Sequence, residues 1–151
     1  MGTFVIRTAV ESDIPTLRTV FRRSSLSNEA DRDNLLAHEE LLELSEAGVR
    51  EERTRVATAP DGSIVGFASL LVVGGVLELE DLFVDPTWMR QGVGRKLVFD
   101  ALAIAREQSF DRLEVTANPH ARAFYQSTGF LVDHVVETQF YPAPRMYRRV
   151  P

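Results

Sequence analysis

Arg90-Gln91-Gly92-Val93-Gly94-Arg95 constrains this chain more than any other stretch, because it lies where a strand has to become a helix. It follows the apolar run Leu77 to Val84 and a seven-residue connection, Asp85 to Gln91. It opens a segment in which Val93, Leu97, Val98, Ala101, Leu102 and Ala105 recur at helical spacing. Two glycines at such a point let the backbone approach a ligand closely, and the first helical turn leaves its N–H groups without intrahelical partners. With the helix dipole, those donors make an anion site. Arg90, Arg95 and Lys96 crowd cations at the end where the dipole disfavours them, a mismatch that an anion between them removes. The dipole alone contributes only about 0.3–1 kcal/mol, so amides and side chains have to act together. Arg95, Lys96 and Leu97 follow Gly94, so the third glycine of a dinucleotide fingerprint is absent, and there is no GxxxxGK[ST] run. Two readings stand at this stage: a pyrophosphate cradle, or a helix start that needs tight packing.

A length of 151 residues predicts a single domain over 1–151 with a proper core. The net charge of −5 argues against a general nucleic-acid binder, which needs a basic face to neutralise phosphates. A local cationic patch at 90–96 on an acidic chain instead suggests one anionic ligand and a surface that attracts cationic substrates. With no cysteine there is no disulfide or thiolate chemistry. No apolar run approaches the ~20 residues of a membrane helix and no signal-peptide pattern opens the chain, so a cytoplasmic protein with no membrane partner is expected.

Phe4 to Thr8 reads as a short strand, followed by Glu11-Ser12-Asp13 as N-caps for a helix with Pro15 in its first turn. A second helix is expected from about Asp31 to Ala47, on the apolar residues Leu35, Leu36, Leu41, Leu42 and Leu44, with Gly48 as its stop. Arg53 to Ala59, Ile64 to Val73 and Val76 to Val84 form a meander through the turns Pro60-Asp61-Gly62-Ser63 and Gly74-Gly75. The glycine-opened helix leads to a strand at Arg112 to Thr116, parallel to the one before it. Asn118 to Thr128 is a helix capped by Asn118 and stopped by Gly129. Phe130 to Thr138 and Arg145 to Val150 close the sheet on either side of Tyr141-Pro142-Ala143-Pro144.

Met89-Arg90-Gln91-Gly92-Val93-Gly94 is similar to the signature of the GNAT-type N-acetyltransferase superfamily: Arg or Gln, two residues, Gly, one residue, then Gly or Ala. Met89 stands at the Arg/Gln position. Asn118-Pro119-His120-Ala121-Arg122-Ala123-Phe124-Tyr125-Gln126-Ser127-Thr128-Gly129-Phe130 resembles the family's late Asn, Ala, Phe-Tyr and Gly-Phe block, at the right distance from the first motif. The resemblance spans about residues 4–150. It implies an α/β (α+β) fold with a mixed, mostly antiparallel, strongly twisted sheet of six to seven strands, flanked by about four helices, with splayed central parallel strands. It also implies acetyl-CoA as donor, with no metal. Arg90, Gln91, Gly92, Val93, Gly94 and Arg95 would hold its pyrophosphate. Leu82, Phe83 and Val84 would offer backbone groups to the pantetheine and the thioester carbonyl, and Asn118 is a further cofactor contact.

Transfer of acetyl to an amine needs the neutral amine, and an alkylammonium has a pKa of about 10.4, so a base is required. Glu78 and Glu80 alternate on one strand and share a face unless a bulge intervenes; either or both would serve, or both simply face solvent. Tyr125 matches the family position whose hydroxyl protonates the departing thiolate, or else is a core tyrosine. Asp81 is expected on the opposite face, Arg22-Arg23 on a solvated helix face, and Trp88 and Tyr141 at an acceptor pocket or a sheet edge. His38, His120 and His134 are dispersed and lack metal-ligand spacing. The expected activity is direct, ternary-complex acetylation of a primary amine on a small molecule. The alternatives are a peptide or protein N-terminus as acceptor, or a noncatalytic acyl-CoA-binding module. The apolar closing strands are compatible with a homodimer.

Overall fold

The computed structural model describes residues 3–151. Strands β1 (Val5–Thr8), β2 (Thr54–Thr58), β3 (Ile64–Val73), β4 (Val76–Val84), β5 (Arg112–Thr116), β6 (Leu131–Glu137) and β7 (Pro142–Arg149) form one sheet in the order β1-β2-β3-β4-β5-β7-β6. Helices α1 (Ile14–Leu26), α2 (Glu29–Ala37), α3 (Ala47–Arg50), α4 (Val93–Glu107) and α5 (Arg122–Ser127) connect it, with short 3-10 turns at Glu11–Asp13, Glu39–Leu42, Pro86–Trp88 and Pro119–Ala121. The mixed, mostly antiparallel architecture expected from the sequence is the one found. β1–β2, β2–β3, β5–β7 and β6–β7 are antiparallel, and β4 runs parallel to β5. Among the described residues the β4–β5 ladder pairs Leu77 with Leu113 and Glu78 with Glu114, and β4 continues to Val84.

Contacts gather the chain into two compact units. One takes the residues up to Ser69 together with Asp81–Leu97; the other takes Leu70–Glu80 with Val98–Pro151. The core of the first is Ala9, Ile14, Leu17, Val20, Val49, Val56 and Phe67, with Phe21, Leu44, Ile64 and Phe83 packed on it. Apolar residues at helical spacing in α1 and on the inner face of β2 and β3 supply most of this set, and Ala9, Leu44, Val49 and Phe83 complete it. In the second, Leu77, Leu79, Leu113, Val115, Phe130 and Met146 are among the buried residues. Among the described residues no helix is long and apolar enough to cross a membrane.

Three expectations need correction. The helix anticipated over 31–47 is broken into α2, a 3-10 turn and α3: His38 (φ −132°, ψ 69°) leaves helical geometry. No residue of α2 is buried and Leu36 is exposed, so its leucines do not form one apolar stripe. Gly48 does not stop a helix but sits inside α3, where a Cβ would lie 2.7 Å from Thr54 Oγ1. Pro142-Ala143-Pro144 is strand rather than connection. The Pro144 carbonyl accepts from Ala117 N (2.9 Å) just past the end of β5, so the missing proline donors face a side where the β5 ladder has stopped.

Candidate active site

The path from β4 into α4 is held by side chains before it reaches the glycines. Asp85 accepts from the Thr87 amide (2.9 Å), capping the turn Pro86–Trp88. Arg23, near the end of α1, takes both carboxylate oxygens of Asp85 (3.0 and 3.3 Å) and the Thr87 hydroxyl (3.1 Å). Burial alone would raise the Asp85 carboxyl, but the bonds from Arg23 and Thr87 outweigh it and hold it below its ordinary value. Arg22 and Arg23 are exposed on the helix face, as expected, and each also has a surface partner: Arg22 bonds Glu39 (3.0 Å), and Arg23 clamps this connection. Trp88 packs edge-on against Phe4, with centroids 5.9 Å apart.

Beyond Met89 the backbone turns left-handed at Arg90 (φ 64°) and again at Gly92 (φ 86°). The Gly92 carbonyl accepts from Lys96 N (3.0 Å), so the first turn of α4 starts here. Left-handed turns leading into helix amides form a concavity lined by N–H donors. A Cβ on Gly92 would meet nothing within 4 Å, so the space before the cradle is open. Arg90, Gln91, Gly92 and Arg95 are exposed and Gly94 is half-buried, while Val93 is buried and offers only its backbone. Lys96 is committed elsewhere: Nζ donates to the Phe4 carbonyl. These donors fit a diphosphate.

Gly66 on β3, which sequence reasoning passed over, sets the angle of this helix start. A Cβ there would lie 2.9 Å from the Phe83 carbonyl and 3.0 Å from Val93 Cγ1. The available signal was an isolated glycine inside a strand. The Phe83 ring packs on Phe21 (4.7 Å) and Phe67 (5.6 Å), which by alternation puts Leu82 and Val84 on the other face of β4. The same unit thus brings Leu82, Phe83, Val84 and residues 90–95 together at the two ends of one clamped connection.

In the second unit Leu77 and Leu79 are buried, Glu78 is half-buried and Glu80 exposed, as alternation requires. Glu78 and Glu114 are cross-strand neighbours that would repel unless a cation joined them. Arg145 of β7 does so: Nη1 donates to Glu78 and to Thr116 Oγ1 (3.0 Å), and Nε to Glu114 (3.1 Å). Arg112 adds a second guanidinium to Glu114 at 2.8 Å. Burial would lower the Arg145 guanidinium, but its bonds to Glu78 and Glu114 raise it overall. Arg145 was not anticipated, and no local pattern could have shown it, since it meets Glu78 across 67 positions. Asp81 accepts from Ser69 Oγ (2.6 Å), as a residue on the opposite face from Glu78 and Glu80 can.

The Tyr125 ring is buried against Phe124 (5.1 Å) and Phe130 (5.4 Å). Its hydroxyl makes no hydrogen bond among the described residues, and no buried side-chain oxygen or nitrogen there lacks a partner, so the tip opens to the surface. Burial pushes this hydroxyl well above its ordinary pKa, so it stays protonated. Asn118 accepts from His120 N (3.2 Å) and donates to the Tyr141 hydroxyl (2.5 Å), capping the turn before α5. His38 pairs with Glu40 and His134 with Asp133, and no cluster of three potential metal ligands occurs among the described residues.

The model of the acetyltransferase (GNAT) family matches residues 17–130. A glucosamine 6-phosphate N-acetyltransferase of Trypanosoma brucei brucei is 33% identical over 78 residues, which cover 47% of this chain and 53% of that protein. The chain thus spans about half the length of this curated relative. Among solved structures, the PaiA N-acetyltransferase of Thermoplasma acidophilum in complex with coenzyme A superimposes with a TM-score of 0.76 at 20% identity, covering 97% of this chain and 99% of that one. The ribosomal-protein-S18-alanine N-acetyltransferase of Escherichia coli does so at 0.74 and 22%, covering 98% and 94%. At these identities the two structures share the fold.

Proposed function

The chain belongs to the acetyltransferase (GNAT) family and is an acyltransferase, and from that premise we propose that it moves acetyl from acetyl-CoA to the primary amine of a small molecule, with residues 1–151 acting as one catalytic domain. The observation that carries this reading is the cradle at Arg90–Arg95: left-handed backbone at Arg90 and Gly92, open space before Gly92, and the first amides of α4 behind it. Those donors hold the diphosphate of the carrier, while Leu82 and Val84 offer backbone groups to its pantetheine arm. An N–H at Leu82 or Phe83 facing the thioester carbonyl would stabilise the developing oxyanion by about 2.7–4 kcal/mol, the range for comparable donors. Asn118, already a cap, lies in the motif that adds a further contact.

Of the two candidate bases, Glu80 is the better placed. Glu80 is exposed and can pass its proton to solvent, whereas Glu78 is half-buried beside the Arg145 guanidinium. Tyr125 supplies the hydroxyl for the departing sulfur. A free thiol has a pKa of about 8.5 and the Tyr125 hydroxyl lies far above that. It therefore acts chiefly by donating a hydrogen bond to the thiolate, with complete proton transfer left to solvent. The glucosamine 6-phosphate relative supports a small-molecule acceptor over a peptide, because the ribosomal-protein neighbour is similar in fold only.

The test has two parts. Acetyl-CoA is expected to raise the melting temperature of the purified chain, and thiol release is expected with at least one amine of a panel of sugars, amino acids, polyamines and peptides. Stabilisation by acetyl-CoA without release from any amine would favour a noncatalytic binding module instead.

A further inference from the structure

Phe4 is held from two sides by the connection that carries the cradle. Its ring is buried and meets Trp88 edge-on, with centroids 5.9 Å apart. Its carbonyl accepts from Lys96 Nζ. Trp88 ends the turn Pro86–Trp88, and Lys96 lies in the first turn of α4. The residue just before β1 therefore meets the chain on both sides of Arg90–Arg95.

A lysine at this end of a helix works against the dipole. Among the described residues no carboxylate pairs with Lys96 to offset that, and its polar partner is the Phe4 carbonyl. A bond from an ionised donor is roughly twice as strong as a neutral one, so the tie is a firm one for a single contact. It fastens the head of α4 to the chain entering β1, and β1 is itself paired with β2 from Val5 opposite Thr58 to Thr8 opposite Arg55. Gly66 lets the same helix turn come close to β3, while Lys96 ties it to the edge of the sheet. The amides behind Gly92 are thus located from two directions. Preorganised donors bind an anion without spending freedom on finding their places, which makes their location part of the affinity.

We infer that Lys96 is a positioning residue for the carrier: it acts through Phe4 on where the α4 amides point, and not on the diphosphate itself. This rests on the acetyl-CoA reading above. The test is titration calorimetry with acetyl-CoA on the wild type, Lys96→Met, Phe4→Leu and the double variant, each shown to be folded and held well below its melting temperature. Lys96→Met is expected to weaken binding by about tenfold, the scale on which a modest misplacement of a site is felt. Phe4→Leu is expected to weaken it measurably, and the double variant no further than the worse single one, because both changes break one tie. Should Phe4→Leu fail to fold, Trp88→Leu takes its place in the cycle. With an amine that the wild type uses, Lys96→Met should raise KM for acetyl-CoA and leave kcat unchanged. Losses that multiply in the double variant would mean that Lys96 meets the anion directly. Unchanged affinity in either single variant would mean that the tie serves the fold alone, and a fall in kcat without a change in KM would place Lys96 in the chemistry. Each of these overturns the inference and leaves the carrier reading standing. No binding of acetyl-CoA by the wild type overturns both.

Discussion

At the start of α4 the donors are backbone amides, the backbone is left-handed at Arg90 and Gly92, and the surrounding side chains are exposed. Around Arg145 the donors and acceptors are side chains drawn from three strands, and they are largely withdrawn from water. The first arrangement turns its amide donors towards open space, where an anion can meet them. The second has neutralised itself on folding, since a buried charge is tolerable only when paired and hydrogen-bonded. A loop of the first kind is ready for a ligand, whereas a cluster of the second kind mostly serves the fold and leaves over only what its geometry does not use.

The largest effect should come from breaking the first arrangement. Gly92→Glu places a bulky residue at φ 86°, a strain of about 1–3 kcal/mol, and adds a carboxylate where a diphosphate is to sit. Titration calorimetry is expected to show acetyl-CoA affinity falling by roughly 100-fold or more, which at 1.4 kcal/mol per decade is about 3 kcal/mol. An unchanged affinity would mean the cradle is only a helix start.

Next in size are the kinetic variants. Glu80→Gln and Tyr125→Phe should each lower kcat by about 100-fold, the low end for general acid–base groups. Tyr125→Phe should do so with no loss of melting temperature, because its hydroxyl has no internal partner. Glu78→Gln should behave oppositely, showing mainly in stability. If it instead abolishes turnover with stability intact, Glu78 and not Glu80 is the base.

Arg145→Met strikes at the second arrangement. Stranding Glu78 and leaving Glu114 with Arg112 alone should cost towards the lower end of about 3–5 kcal/mol, since the cluster is not fully buried. For a chain of this size that is about 6–12 °C in Tm by calorimetry. A shift under 2 °C would show the pairing to be cosmetic.

The smallest effect concerns Asp13, whose carboxyl is held below its ordinary value by the bidentate bond from Arg7, against burial that would raise it. A depressed folded-state pKa contributes stability that is present above the unfolded value, about 3.9, and is lost as pH falls through the folded value. The stability gap between wild type and Asp13→Asn should therefore be constant from pH 7 down to about 5 and close below 4 in urea melts. A gap independent of pH would sever the link to the Arg7 pair.

Glycine and proline punctuation made most of the strands legible. Pro60 to Ser63 and Gly74-Gly75 bound β3 at the expected residues, and the helical spacing from Val93 marked α4. The segment 29–50 was not legible, because five leucines imitate a stripe that the chain interrupts at His38. Only the first residues of β7, 142–144, hid behind two prolines, whose missing donors matter only if the neighbouring strand extends that far. The cradle was readable because everything in it is contiguous. Arg145 was not, because its role depends on β7 lying beside β5, and that adjacency is a property of the whole topology.

The absent side chain at Gly66 has a reach beyond its own strand. With the Phe83 carbonyl and Val93 crowding the position, even a single methyl there would have to lever the head of α4 outward. Its amides would then be aimed at a displaced point, and grip on the carrier would weaken although no contacting residue had changed. A substitution some 25 positions upstream of the loop can thus act as a sighting error, and a survey confined to residues lining the cleft would overlook it.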